Sequence, residues 1–208
     1  MINDLKTEQE KFWVGEFGND YVARNKNDQI IAGNLSLFSK ALAKTGQPTS
    51  LIEYGANVGM NLKAIKLLFP YISLYGIEIN KKASEELIKF LGNENVFNGT
   101  LFDYVPKEKF QVSLIKGVLI HINPLFLSDV YGKLYESSSR YILICEYYSP
   151  TPVAVNYRGH ADRLFKRDFA GEMLEKYKDL ELLDYGFCYR KDRSFPQDDI
   201  TWFLLEKR

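Results

Sequence analysis

Apolar residues along the chain alternate between two periods, and the alternation predicts strands interleaved with helices. Residues 6–25 are mostly polar, carry aromatics at Phe12, Trp13, Phe17 and Tyr21, and are broken by Gly15 and Gly18. From Asp28 to Lys44, Ile30, Ile31, Leu35, Phe38 and Leu42 recur at helical spacing and stop at Gly46. A largely apolar strand follows at 51–54, then a helix from 59 to 69 halted by Pro70, then a strand over 72–78. Asn80 suits the N-cap of a helix that carries Leu87, Ile88 and Leu91 and ends at Gly92. Short strands are expected at 96–97 and 112–115. The Asn123-Pro124 pair opens a helix with Phe126, Leu127, Val130, Leu134 and Tyr135, and a fifth strand spans 141–145. Residues 148–166 show no period and read as irregular, after which Asp168 caps a helix with Phe169, Met173, Leu174 and Tyr177. Two strands, 181–189 and 200–206, joined by a charged loop through Pro196, close the chain.

Strands alternating with helices over 51–145 predict an α/β fold, a doubly wound and mostly parallel seven-stranded sheet of Rossmann-like form. Its strands are near-continuous apolar runs, as strands covered on both faces should be. The last two are joined too tightly for a helical crossover, so one late strand should run antiparallel. Residues 1–46 are expected to form an N-terminal helical segment packed on a single globular unit, 47–208. The aromatics at 12–21 belong to that packing, or to a lid over a ligand.

The junction Leu51-Ile52-Glu53-Tyr54-Gly55-Ala56-Asn57-Val58-Gly59-Met60-Asn61 runs from strand through a glycine turn into a helix. Such a turn lets bare backbone approach a ligand at a helix N-terminus. The next strand ends on Glu78, where a carboxylate can accept both hydroxyls of a ribose. A dinucleotide fingerprint wants three glycines, yet Asn57 and Met60 occupy two of the places, and no Gly-Lys-Ser/Thr follows. A turn poorer in glycine suits a nucleoside without phosphates, such as S-adenosyl-L-methionine, and makes a nicotinamide-dependent oxidoreductase the weaker alternative. Asn57 is tolerable because asparagine visits left-handed backbone more readily than most residues.

Composition changes this picture little. Lys+Arg 27 balances Asp+Glu 27, so no global field draws the chain to nucleic acid or anionic membrane. Cys145 and Cys188 lie in apolar runs and read as buried thiols, and no metal-ligand set is visible. The N-terminus lacks the apolar core of a signal peptide and no run reaches membrane-spanning length, so a soluble cytoplasmic protein is expected.

Several stretches are more specific: 10–21, Lys116-Gly117-Val118-Leu119-Ile120-His121-Ile122, Glu146-Tyr147-Tyr148-Ser149-Pro150-Thr151-Pro152, and 157–171 from Tyr157-Arg158-Gly159-His160 onward. Over nearly its whole length the chain resembles the pseudaminic acid biosynthesis-associated methylases, class I S-adenosylmethionine-dependent methyltransferases. The resemblance implies a methyltransferase working beside the synthesis of a sialic-acid-like sugar for surface glycans. It also implies that Glu53, Gly55, Ala56, Asn57 and Gly59 form the turn against the methionine part, while Glu78 and Ile79 meet the ribose. Thr100, Leu101, Phe102 and Asp103 should then border the adenine. Thr100 stands where such enzymes usually carry an acid, so the Leu101 backbone or Asp103 would serve the exocyclic amine. Lys116 and Gly117 fall beside the transferring methyl, with the Lys116 charge turned away from the sulfonium.

A sugar hydroxyl must lose its proton to accept a methyl, and His121, His160 and Glu146 are the candidate bases. For each, a structural role in the loop is the competing reading. Arg158 and Arg163 are expected to meet an anionic acceptor, a nonulosonic acid carboxylate or its nucleotide-activated form, since a guanidinium grips such groups with paired hydrogen bonds, with a solvated loop of snorkelling basic side chains as the alternative. A sugar or sugar nucleotide is therefore the expected acceptor. The rivals are methylation of a flagellar or surface protein, and a catalytically silent cofactor-binding scaffold.

Overall fold

The computed structural model describes residues 5–24, 27–157 and 160–208, without the side chains of 23–24, 156–157 and 160–163. Two short helices, α1 (Glu8–Val14) and α2 (Glu16–Arg24), precede α3 (Asp28–Ala41). A chain of β1 (Ser50–Tyr54), α4 (Met60–Leu68), β2 (Ser73–Glu78), α5 (Lys81–Leu91), β3 (Val96–Asn98), β4 (Phe110–Lys116), α6 (Leu127–Ser137) and β5 (Ser138–Glu146) follows. The remainder is β6 (Val153–Tyr157), β7 (His160–Lys166), α7 (Phe169–Lys176), β8 (Leu180–Cys188) and β9 (Ile200–Lys207).

Seven strands form one sheet in the order β3-β2-β1-β4-β5-β9-β8, and β6 pairs with β7 in a separate ribbon. The pairs from β3 across to β5 are parallel, whereas β9 runs antiparallel to both β5 and β8. The doubly wound sheet with a single reversed strand is thus as the apolar runs predicted. Period and burial agree: Leu51, Val112, Leu114, Tyr141, Leu143 and Cys145 pack beneath α3, α4 and α5 on one face, with Leu37, Phe38, Ile65 and Leu87. Ile52, Tyr54, Ile115, Ile142 and Ile144 bury the other face under α6 and α7, with Val130, Leu134 and Met173.

The caps also follow the sequence. The side chains of Asn80, Asn123 and Asp168 accept from the N–H groups of Ala83, Leu125 and Gly171. One expectation is corrected: 148–166 is not irregular, because Val153–Tyr157 and His160–Lys166 pair antiparallel as a hairpin. Standing outside the main sheet, it lacks the doubly buried apolar run that marked the other strands. Among the described residues no helix is long and apolar enough to cross a membrane.

Candidate active site

Parallel strands point their carboxyl ends to one edge, and the order reverses between β1 and β4, where an open α/β sheet leaves a crevice. A cavity of about 260 Å³ lies there, bordered by the residues just after β1, β2, β3, β4 and β5. That is close to the lower size of ordinary small-molecule clefts, about 300 Å³.

The turn after β1 holds three left-handed residues, Gly55 (φ 77°), Asn57 (φ 48°) and Gly59 (φ 81°). Asn57 is the one described residue other than glycine with a positive φ, so the expectation for it holds. The amides of Gly55 and Ala56 both donate to the Ile77 carbonyl at 2.9 Å, which folds the turn back onto β2. No side chain caps α4, so its first turn is open to a ligand. Gly55, Ala56 and Asn57 border the cavity, and the Asn57 side-chain oxygen is buried without a partner.

Glu78 ends β2 on the cavity wall, with Ile79 beside it. Its carboxylate accepts from the Asn57 and Asn80 amides, each at 2.7 Å. The Ile79 amide also favours the ionised carboxylate, and its two oxygens still have acceptor capacity for a further donor. Burial, only partly offset by these amides, pushes the Glu78 carboxyl up to about 7.

Glu53 and Gly59, by contrast, stand behind the turn. Glu53 is fully buried, accepts from the Asn61 side chain at 2.5 Å and is pushed up to about 8, mainly by burial. Gly59 is the N-cap of α4, and a Cβ there would lie 2.7 Å from the Leu87 side chain. Both shape the turn from outside the cavity lining.

Thr100, Leu101 and Phe102 border the end of the cavity beyond β3, but Asp103 does not. Its carboxylate faces Lys6 at 3.9 Å on the surface, outside the cavity lining. Lys116 and Gly117 border the opposite end. Gly117 takes a left-handed φ of 67°, and a Cβ there would meet nothing within 4 Å. The Lys116 charge draws the carboxyls of Glu53 and Glu146 down against burial.

Of the proton-handling candidates, Glu146 and His121 both border the cavity. Glu146 Oε1 accepts from the amides of Val118 at 2.9 Å and Leu119 at 2.8 Å, capping the 3-10 turn Leu119–His121. Its other oxygen is buried without a partner, and burial pushes the carboxyl up to about 7. The buried His121 ring lies 5.0 Å from that of Trp13 and borders the cavity. Arg158 falls outside the described residues, as do the side chains of His160 and Arg163.

The N-terminal segment, expected either to pack on the domain or to cover a ligand, reaches the cavity with residues of both α1 and α2. Thr7, Glu10, Trp13, Tyr21 and Val22 all border it, so this segment packs on the domain and covers the site at once. The signature Thr7-Glu8-Gln9-Glu10 was visible as a capping box, and the structure forms it in both directions. Asn80 ties the segment down: its amide nitrogen donates to the Trp13 carbonyl and the Asn19 side chain, each at 3.1 Å, while its oxygen caps α5. Asn80→Ala should cost about 1–2 kcal/mol of stability through the lost cap. Amide exchange should then quicken over 8–24 while the sheet stays protected.

Three buried carboxyls held above their ordinary 4.5 carry a pH signature. A carboxyl whose pKa is higher folded than unfolded adds stability that is complete below 4.5 and is lost as pH rises through 7 to 8. At about 1.4 kcal/mol per unit, each contributes on the order of 3 kcal/mol. Urea midpoints of the ligand-free protein should therefore imply a loss of at least about 2 kcal/mol from each of the three between about pH 5 and pH 8, and Glu78→Gln should remove its share of that slope.

Strand order, the reversed strand and the place of the cavity define the Rossmann-like fold of class I S-adenosylmethionine-dependent methyltransferases. The Burkholderia thailandensis 1,6-didemethyltoxoflavin-N1-methyltransferase, solved with 1,6-didemethyltoxoflavin and S-adenosylhomocysteine, matches 96% of this chain over 86% of its own, with TM-score 0.68 and 15% identity. The magnesium protoporphyrin IX methyltransferase of Synechocystis PCC 6803 with bound SAH matches 97% of this chain over 100% of its own, with TM-score 0.67 and 14% identity. The mitomycin 7-O-methyltransferase MmcR matches 97% of this chain with TM-score 0.62 and 15% identity, and the chain spans only 61% of that protein. No protein-family model and no curated protein sequence matches the chain. At these identities the likeness is one of fold.

Proposed function

We propose that the chain is an S-adenosylmethionine-dependent methyltransferase acting on a small hydroxyl-bearing acceptor, a sugar or sugar nucleotide. The observation that carries the cofactor is Glu78, held by the amide of left-handed Asn57 at the lip of a cavity on the switch point of the sheet. The residues fit such a nucleoside: spare carboxylate acceptor capacity for vicinal hydroxyls, and an orphaned Asn57 oxygen for an amino group. A turn with Asn57 and Met60 in place of glycines favours a ligand without a pyrophosphate. Two of the fold neighbours hold S-adenosylhomocysteine and one acts, by its name, on an oxygen, which supports this reading.

Bound there, S-adenosylmethionine would supply a methyl group already made electrophilic by its sulfonium. The chain's own contribution is alignment and proton removal. The Lys116–Val118 backbone, Glu146 and His121 border the β4 side of the cavity, where an acceptor would lie in line with the transferring bond. Glu146, with one unbonded oxygen, is suited to hold the acceptor's proton, and it fixes the turn that carries His121. The sugar-type acceptor rests on the family resemblance of 146–171, with Arg158 and Arg163 as its anionic-group contacts.

Calorimetry with S-adenosylmethionine against NAD tests the cofactor: tight binding of the first and none of the second is expected. Mass spectrometry after incubation with nonulosonic acids, their nucleotide-activated forms and flagellin then tests the acceptor. A methyl gain on flagellin alone would replace the sugar reading with the protein one. No gain on any of them, with binding intact, would leave a silent scaffold.

A further inference from the structure

Thr100 occupies the place where an acid was expected, and the structure brings an acid to it from the far end of the chain. Its hydroxyl donates to Glu10 Oε1, and accepts from the Phe102 amide at 3.3 Å. Glu10 Oε2 accepts from the Thr7 amide at 2.9 Å and from the Thr7 hydroxyl at 3.3 Å. Glu10 is therefore gripped by its own helix through one oxygen and by the sheet through the other. It is 6% exposed, Thr100 is 1% exposed, and both border the cavity.

The strand order says which part of a ligand would meet them. The left-handed turn and Lys116–Val118 follow β1 and β4 at one end, Glu78 ends β2 in the middle, and Gly99–Phe102 follow β3 at the other end. This step rests on the cofactor reading above: with a ribose on Glu78 and the amino-acid chain by the turn, the base must lie against Gly99–Phe102. At that end the Thr100 hydroxyl is committed and Asp103 faces Lys6. Among the described residues, Glu10 is the carboxylate that borders the cavity there. Its Oε1 accepts a single hydrogen bond and has a lone pair left for another donor.

We propose that Glu10 accepts a hydrogen bond from the exocyclic amine of the purine, so that base identity is read by helix α1 rather than by the sheet. Thr100 positions that carboxylate, and Thr7 holds it through the capping box. Base selection and closure of the N-terminal segment are then one event, because the reading group arrives only when α1 is seated on the sheet.

The test is calorimetry on the full chain with S-adenosylhomocysteine and S-inosylhomocysteine, whose base carries an oxygen in place of the amine. The unaltered protein should favour the adenosyl compound by about tenfold or more, the usual worth of a hydrogen bond to a charged group. Glu10→Ala should bring the two within about twofold by weakening adenosyl binding, and the near-isosteric Glu10→Gln, which keeps the fold's volume, should narrow the ratio because an amide offers either donor or acceptor. A ratio unchanged in both variants, or an unaltered protein that binds both compounds equally, overturns the assignment of Glu10 while leaving the cofactor reading in place. An unaltered protein that binds neither compound removes the cofactor reading, and this proposal with it.

Discussion

Glu78→Ala should weaken binding of S-adenosylmethionine by about 10²–10⁴-fold, measured by calorimetry, and leave the sheet folded. The range follows from two hydroxyl hydrogen bonds to one charged acceptor at about 1.5–3 kcal/mol each, with a tenfold change per 1.4 kcal/mol. The variant also strips the Asn57 and Asn80 amides of their acceptor, so the turn loosens as contact is lost. Glu78→Gln keeps one carbonyl oxygen and should fall between the two. Because burial holds this carboxyl near 7, and ribose hydroxyls favour its ionised form, cofactor affinity should rise with pH towards about 7 and level off above it. Affinity in Glu78→Ala within about threefold of the unaltered protein would remove the ribose assignment.

Loss of Glu146, the base proposed for the acceptor, should be of similar size and fall on a different constant. Glu146→Gln is expected to lower kcat by about 10²–10⁴-fold with cofactor affinity unchanged, the usual contribution of a positioned base. An amide still accepts from the Val118 and Leu119 amides, so the turn that carries His121 stays formed. The unaltered enzyme should gain rate with pH up to a plateau above about 7, the value to which burial raises Glu146, and the variant should lose that rise. His121→Ala separates the roles. If it alone abolishes the pH dependence, the proton belongs to the imidazole and Glu146 positions it. A variant Glu146→Gln with unaltered kcat would leave that carboxylate a backbone cap and nothing more.

How much of this was legible in the sequence differs between sheet and cover. Strands such as Leu51–Tyr54 and Tyr141–Cys145 show because doubly covered strands are apolar at nearly every position, the buried Glu53 being the exception. The turn around Asn57 and the acid at Glu78 show because left-handed backbone admits few residue types and an acid closing an apolar strand breaks its pattern. The hairpin of β6 and β7 did not show: Val153-Ala154-Val155 is short, and His160 to Lys166 mixes charge with apolar residues, as a ribbon outside the main sheet can. Nor could pattern place Glu10 beside Thr100, which lies 90 residues away and is reached only through tertiary packing. Asp103 is near Thr100 along the chain, and Lys6, carried in by the same N-terminal segment, meets it at the surface.

The chain contains two tryptophans, and they sit on opposite sides of that division. Trp202 is 5% exposed within β9, whereas Trp13 rests edge-on against the His121 ring in the covering segment. Indole emission from the first should stay constant when S-adenosylmethionine is added, and emission from the second should shift, because Trp13 borders the cavity. The two indoles would then serve as a label-free gauge of the proposed cofactor binding, with Trp202 as the internal standard.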